Sequence, residues 1–180
     1  VLMSFLNDPY QPAELEYGLT RKAIQILHAT GHTFVTLTKG GTRALRDIKL
    51  FTPRDEFAST LTTTTDELSR KWEPGAALFE DRCNALRTFH EAEIPTWVSL
   101  EPVLYEDEVY KIVEKTRNFV NHYRIGRLNR NAHEKTINWY GFAERITRFM
   151  LENDIPYLIK KELLPYLPEG VPDVYRCRRP

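Results

Sequence analysis

The sequence predicts an α/β fold with a parallel sheet, and three observations support this prediction. Strand-like and helix-like segments alternate along the whole chain, with about 30 residues for each β–α pair. No linker or low-complexity segment interrupts them. Alternation of this kind implies parallel strands joined by right-handed crossovers. We therefore predict a single α/β domain over residues 1–180 with five to six β–α units. The pattern leaves open a doubly wound sheet, a full barrel and a partial barrel.

The first half of the chain supplies three predicted strands. An apolar run predicts a strand over residues 1–6, β-branched residues predict one over 33–39, and a third is expected over 56–65. Helical spacing predicts a helix over 14–29, which Gly31 is suited to end. Its buried face is expected to carry Leu15, Leu19, Ala23, Ile26 and Leu27.

The second half continues the alternation, with helices of clear amphipathic spacing. Before the second half, short helical pieces are expected in the segments 40–51 and 65–72. The later helices are predicted over 79–92, 106–123 and 137–152, and the later strands over 94–104 and 123–129. The segment 155–167 is expected to be a strand or a short helix.

Composition excludes several classes of protein. Lys and Arg together number 25, as do Asp and Glu, so no overall basic field points to nucleic-acid binding. Two cysteines, Cys83 and Cys177, cannot form a metal site by themselves, and the five histidines lack ligand spacing. No apolar run approaches the roughly 18 residues that span a bilayer, so we expect a cytoplasmic protein without membrane partners. The first residues lack the layout of a signal peptide and read as the middle of a longer chain.

Polar side chains follow most of the predicted strands. Because parallel strands end at one edge of a sheet, these side chains are expected to share a rim. Lys39 would meet a ligand carboxylate and Asp8 an ammonium group, which suits a zwitterionic ligand. The same residue types also serve as turn formers and helix caps, and Asp8 could simply start the next helix. The rim comprises Asn7, Asp8, Thr38, Lys39, Thr60, Thr62, Thr63, Ser99, Glu101, Arg127 and Asn129.

Several motifs, taken together, resemble a known family. "DPYQPAE", "LTKGGTRALRDIKL" and "STLTTTTDELSRKWEPGAALFEDRCNALRTFHEAEIPTWVSLEPVL" resemble the spore photoproduct lyase-like branch of the radical S-adenosylmethionine proteins. The resemblance runs over about residues 4–104. It implies a partial (β/α)6, TIM-like barrel in which a [4Fe-4S] cluster reductively cleaves S-adenosylmethionine. The resulting radical would abstract hydrogen from a substrate, for which a nucleic acid is one class that the resemblance admits. Flavodoxin or ferredoxin is the expected external reductant.

The sequence departs from this family in two places. The family holds its cluster with C-x-x-x-C-x-x-C after the first strand, and these residues contain no such triad. We therefore expect residues 1–6 to be the family's second strand, with the first β/α unit missing and this chain alone inactive. A cluster-free barrel that binds a nucleic acid or a protein is the alternative. The hydrogen-donating cysteine of these lyases falls on Phe5, which favours a different substrate.

The resemblance assigns the rim residues to parts of S-adenosylmethionine, with no catalytic residue and no metal ligand in this chain. The amino group would meet Asn7 and Asp8, and the carboxylate would meet Lys39. Thr60 or Thr62 would lie near the ribose. The strand end at 99–102 would meet adenine through Ser99 and Glu101, and the next strand would offer Arg127 and Asn129.

Overall fold

The computed structural model describes residues 1–3 and 7–176. The end of the predicted first strand, Phe5, Cys177 and the basic ending after Arg176 lie outside the described residues. Over residues 1–3 and 7–176, seven strands form one sheet in which spatial order follows chain order. They are β1 (Leu2–Met3), β2 (Val35–Thr38), β3 (Glu56–Thr60), β4 (Thr96–Val103), β5 (His122–Arg127), β6 (Tyr157–Ile159) and β7 (Val174–Tyr175).

The sheet is a partial barrel, as the resemblance implied. Each of β1 to β6 pairs in parallel with the next, and β7 pairs antiparallel with β6. Within the described residues β1 and β7 are the two edges, so the sheet does not close. The prediction of an α/β fold with parallel strands is confirmed.

Helices connect the strands. They are α1 (Glu14–Tyr17), α2 (Leu19–Ala29), α3 (Asp66–Trp72), α4 (Phe79–Glu91), α5 (Glu106–Thr116) and α6 (Trp139–Glu152), with 3-10 segments at Gly41–Leu50, Ala132–Thr136 and Leu164–Tyr166. Strands in sequential order with right-handed crossovers place their helices on one side of the sheet. We call that side the helical face and the opposite side the inner face. In the described part of the chain, no helix is both long and apolar enough to cross a bilayer.

The hydrophobic core lies between the helices and the helical face. Phe57 of β3 stacks on Phe89 of α4, with ring centroids 3.9 Å apart. Val98 and Tyr123 are completely buried on the next two strands. Because side chains alternate along a strand, the neighbours of these residues point to the inner face. Glu56, Trp97 and Arg124 therefore lie on the inner face.

The helix predicted over 14–29 is two helices, and its predicted buried face is wrong in part: Ala23 and Leu27 pack against the core, but Leu15, Leu19 and Ile26 do not. Gly18 adopts a left-handed conformation with φ of 61° and ends α1. The Glu14 carboxylate then accepts hydrogen bonds from the backbone N–H groups of Leu19 and Thr20, which caps α2 in a new orientation. Leu15, Leu19 and Ile26 are consequently exposed by more than 60%, while Thr20 and Ile24 are buried.

Other boundaries differ from the predictions for local reasons. The helix predicted over 106–123 ends at Thr116, and the Asn121 side chain accepts a hydrogen bond from the Thr96 N–H at 2.7 Å. His122 therefore begins β5 instead of ending a helix. The threonine run after Thr60 is not part of β3, and Thr65 caps α3 by accepting from the Leu68 N–H.

Candidate functional site

A small cavity lies at the carboxyl end of β2, around Lys39. Its volume is about 270 Å³, and its wall includes Asp8, Arg43, Trp72 and Glu73. We call it the Lys39 pocket. The Lys39 side chain is 38% exposed, and its ammonium nitrogen lies 2.8 Å from Glu73 Oε1. The pocket therefore contains a cation that solvent or a ligand can reach, held by one carboxylate.

Asp8 shapes this pocket from the loop after β1. Its Oδ1 accepts hydrogen bonds from the Tyr10 N–H at 2.8 Å and from the Thr38 hydroxyl at 2.5 Å. Its Oδ2 accepts from the Lys39 N–H at 2.6 Å. The carboxylate thus ties its loop to the end of β2 and does not initiate a helix. A carboxylate has about four acceptor positions, so one remains for a further donor.

The two glycines after Lys39 are required by close approaches. A Cβ atom at Gly40 would lie 2.7 Å from the Tyr10 carbonyl oxygen. Gly41 has a φ of 58°, and a Cβ there would lie 2.0 Å from Asp81 Oδ2. That carboxylate also accepts hydrogen bonds from the Thr42 N–H at 3.2 Å and, through Oδ1, from the Thr42 hydroxyl at 2.6 Å. The backbone after β2 is therefore packed directly against Tyr10 and the start of α4.

A buried arginine holds the carboxylate of Glu73, which lines the pocket. Arg82 of α4 is 1% exposed and donates to Glu73 Oε2 at 2.7 Å and to the Thr60 carbonyl at 2.8 Å. It also donates to the Ala77 carbonyl at 2.5 Å, while its Nη2 has no partner among the described residues. Burial raises the pKa of Glu73, but the charges of Arg82 and Lys39 outweigh it, and the net pKa is lowered. Glu73 therefore stays ionised and links Lys39 to the core.

Thr60 and Ser99 lie side by side at the ends of β3 and β4, where they are register partners. Both are buried. Thr62, just beyond β3, is 4% exposed, and its hydroxyl is buried without a hydrogen-bond partner among the described residues. A buried, unpaired hydroxyl is unusual in a folded protein and indicates a group that a ligand could satisfy. Thr60 and Ser99 thus form a buried polar pair, and Thr62 follows them two residues beyond the end of β3.

Glu101 forms a second ion pair on the inner face. It pairs with Lys160, which follows β6, and Lys160 also lies 3.4 Å from the Ser99 hydroxyl. Gly126 of β5 lies beneath this pair, since a Cβ there would lie 2.6 Å from Glu101 Cδ. The pair therefore spans β4, β5 and β6. Glu101 lies near the carboxyl end of β4, where the sequence predicts it, but Lys160 was not among the predicted rim residues. A role of Glu101 in binding a ligand stays a prediction.

The last two rim residues belong to a separate cluster. Arg127 donates to the Tyr166 hydroxyl at 2.9 Å, lies 3.4 Å from Glu134, and has its guanidinium 5.5 Å from the Trp139 ring centre. Asn129 is exposed and donates to the Arg127 carbonyl at 3.3 Å. Their partners are in the segments around α6, so these contacts are with the protein's own residues. A role in binding a ligand remains a prediction for both.

Three residues of these networks were not among the sequence-based candidates: Glu73, Arg82 and Lys160. Glu73 lies in "EPG", a sequence whose composition predicts a turn and gives no sign of a site. Arg82 lies on the apolar side of α4 beside Phe79 and Cys83, and a charge at such a position is a sequence signal for a buried partner. Asn7, one of the predicted rim residues, is exposed and directly precedes Asp8.

The described residues do not fit an iron–sulfur cluster. They contain no group of three or more His, Cys, Asp or Glu side chains placed to hold a metal. Cys83, the cysteine among them, is a core residue: burial and the nearby Glu80 raise the pKa of its thiol to about 12. A protonated, buried thiol is not a cluster ligand.

S-adenosylmethionine fits the described residues in part. Lys39 presents a cation for a carboxylate, Asp8 retains one acceptor position for an ammonium group, and the Thr62 hydroxyl lacks a partner. These three features correspond to three separate groups on that molecule. The other predicted contacts, at Glu101 and Arg127, are already paired within the chain.

Comparisons with known proteins agree with this fold. No protein-family model matches the chain. An uncharacterised protein of Methanocaldococcus jannaschii is 30% identical over 135 residues, which cover 73% of this chain and 51% of the relative. The chain therefore spans about half the length of that relative.

Solved structures of SuiB from Streptococcus suis have a similar fold. SuiB bound to S-adenosylmethionine matches with a TM-score of 0.67 and 10% identity, covering 91% of this chain and 40% of SuiB. SuiB bound to precursor peptide SuiA matches with a TM-score of 0.64 and 8% identity, covering 89% and 38%. At this identity the likeness concerns the fold.

Proposed function

We propose that this chain is the S-adenosylmethionine-binding portion of a radical S-adenosylmethionine protein, with the Lys39 pocket holding the methionine end. One observation carries the proposal: a partly exposed ammonium group at the carboxyl end of β2, in a cavity, with a single carboxylate partner. The similarity of the fold to an S-adenosylmethionine-bound protein supports it. The family motifs of the sequence point to the same cofactor.

In this proposal the ligand's carboxylate replaces Glu73 at Lys39. Glu73 does not become an unpaired buried charge, because Arg82 lies 2.7 Å from its other oxygen. The ligand's ammonium group donates to Asp8, whose position is fixed by three hydrogen bonds. The Thr62 hydroxyl donates a hydrogen bond to a ribose oxygen, which gives that buried group a partner. These residues bind and orient the cofactor.

The complete protein would be an enzyme with lyase-like chemistry, and this part of the proposal reaches beyond residues 1–180. A [4Fe-4S] cluster, when bound, supplies the electron for reductive cleavage of the cofactor. Its ligands would come from outside the described residues, which hold no such group. Flavodoxin or ferredoxin is the proposed reductant, and a nucleic acid is the proposed substrate class. We expect no cleavage by this chain alone.

Calorimetry with S-adenosylmethionine and with ATP tests the binding proposal. We expect S-adenosylmethionine to bind more tightly than ATP, because ATP lacks the zwitterionic end that Lys39 and Asp8 would hold. Lys39→Met should weaken that binding about tenfold or more, as the loss of a charged hydrogen-bond partner does. Lys22→Met is the matched control, since Lys22 is exposed on α2.

Equal affinity for the two ligands, or unchanged binding by Lys39→Met, contradicts the proposal. Binding of a nucleic acid without any binding of S-adenosylmethionine would favour the cluster-free binding module instead.

A further inference from the structure

A second and larger cavity lies at the amino ends of β3, β5 and β6, at the opposite end of the strands from the Lys39 pocket. Its volume is about 850 Å³, and its walls include Glu56, His122, Arg124 and Leu158. We call it the Arg124 cavity. None of its residues belongs to the proposed cofactor site.

The strand register brings three polar side chains together on the inner face beside this cavity. Trp97 is the register partner of Ala58 and of His122, while Arg124 is the partner of Ser99. Glu56 lies two residues before Ala58 on β3, so it is a diagonal neighbour of Trp97. Diagonal neighbours on one face are about 7–8 Å apart, within reach of long side chains.

Each of these three side chains buries a polar atom with no partner among the described residues. The atoms are Glu56 Oε2, Trp97 Nε1 and Arg124 Nε. Trp97 is 2% exposed, so water cannot readily supply its missing acceptor. Buried polar groups in proteins are normally hydrogen-bonded, and leaving one unpaired costs about 1–3 kcal/mol. Glu56 and Arg124 line the cavity and Trp97 packs against Arg124, so the unpaired atoms of Glu56 and Arg124 indicate a ligand that would satisfy them.

Aromatic stacking fixes the positions of two of these groups. The Arg124 guanidinium lies over the Trp97 ring at 3.8 Å from its centre. His122, the register partner of Trp97 on β5, also stacks on the indole. The two ring centroids are 5.6 Å apart, and the angle between the ring planes is 21°. Burial, Arg124 and Arg176 lower the pKa of His122 to about 4, so its ring is neutral at pH 7. The charges at the cavity are therefore those of Glu56, Arg124 and Arg176.

We propose that the Arg124 cavity binds an α-amino acid, with the ligand's carboxylate on Arg124 and its ammonium group on Glu56. A guanidinium matches a carboxylate, and the unpaired carboxylate oxygen of Glu56 matches an ammonium group. The charges of Glu56 and Arg124 offset each other only in part, so a zwitterion would complete both, whereas a neutral amide would complete neither. Apolar residues at the wall, including Leu158 and Val174, suit an apolar side chain.

This site does not depend on the proposed cofactor, and its test needs none. The probes are L-phenylalanine, 3-phenylpropionate, which lacks the ammonium group, and 2-phenylethylamine, which lacks the carboxylate. The readout is the indole N–H signal of Trp97 in a ¹⁵N spectrum of the whole chain. The chain has three tryptophans, so Trp97→Phe identifies the signal. The Trp72 indole is an internal control, because Trp72 lines the Lys39 pocket.

We expect phenylalanine to shift the Trp97 signal in a saturable way and to bind about tenfold more tightly than either analogue. Glu56→Gln should weaken phenylalanine binding about tenfold but leave 3-phenylpropionate binding unchanged or stronger. Arg124→Gln should weaken both acids. Similar affinities for all three probes, or no shift of Trp97 with any of them, would overturn the proposal. A shift confined to Trp72 would also overturn it and would point to the Lys39 pocket.

Discussion

The Lys39 pocket and the Arg124 cavity differ in how their charges are satisfied. At the pocket, Lys39, Glu73 and Arg82 form a continuous chain of ion pairs, and Glu73 and Arg82 are nearly buried. Arg82 Nη2 also lacks a partner among the described residues, but the charge of Arg82 is paired with Glu73. At the cavity, Glu56 and Arg124 each bury a polar atom that no described residue pairs. A ligand at the pocket must displace Glu73 from Lys39, whereas a ligand at the cavity would supply hydrogen-bond partners that are missing there. The charges of the pocket should therefore contribute more to the stability of the fold than the charges of the cavity do.

The largest expected effect follows from breaking the chain of ion pairs. Arg82→Met leaves Glu73 as a buried carboxylate with only the partly exposed Lys39 beside it. Breaking a buried pair in this way costs about 3–5 kcal/mol of the free energy of unfolding, which urea denaturation measures. Arg70→Ala is the control, since Arg70 and Asp66 form an exposed pair on α3. That change should cost at most about 0.5 kcal/mol. Equal losses would show that the pocket's ion pairs are not coupled to the fold.

A smaller effect is expected from pH at the Arg124 cavity. The pKa of His122 is lowered to about 4 in the folded chain, while an unfolded histidine titrates near 6.5. Between these values the unfolded chain binds a proton that the folded chain does not, so stability falls as pH drops from 6.5 to 4. Since His122 is half-buried, solvent screening should limit the loss to about 1–2 kcal/mol.

His122→Gln separates this contribution from those of the other titrating groups. Urea denaturation between pH 7 and pH 4 should show a smaller loss of stability in the variant than in the wild type. An identical pH dependence in the two proteins would mean that His122 is as accessible to protons in the folded chain as in the unfolded one.

The smallest effect is expected from removing the unpaired arginine of the cavity. Arg124→Met keeps a flexible side chain over the Trp97 ring and removes a guanidinium whose Nε has no partner in the described part of the chain. Burial lowers the pKa of Arg124, which indicates that its charge is held at a cost, with Glu56 offsetting part of it. We expect the free energy of unfolding to change by less than about 1 kcal/mol. A loss like that of Arg82→Met would remove the distinction between the two regions.

Sequence periodicity was sufficient for the fold because strands and helices of this chain bury regular faces. The α/β alternation, the parallel order and most segments were predicted. The failures came from local contacts that periodicity does not record. Gly18 and the Glu14 carboxylate redirect the first helix, so Leu15 and Ile26 are exposed. Asn121 ends the segment after α5 and places His122 on a strand.

The candidate site was predicted less completely, for a physical reason. Lys39 and Asp8 stand out in sequence because each is a charge at the end of an apolar strand. The partners that complete the ion pairs do not stand out, since Glu73, the partner of Lys39, is in a turn, and Lys160, the partner of Glu101, is distant in sequence. Only the fold brings them close. The inner-face residues Glu56 and Arg124 alternate with core residues, and that pattern alone is typical of an ordinary solvent-facing strand side.

In the proposed function, Lys39 binds the carboxylate of S-adenosylmethionine. Calorimetry with S-adenosylmethionine and with its decarboxylated form, on wild type and on Lys39→Met, tests it most directly. We expect the wild type to prefer the carboxylate-bearing ligand by about tenfold or more, and Lys39→Met to bind the two forms equally. A preference that persists unchanged in Lys39→Met would contradict the claim, because the carboxylate would then be held by another residue.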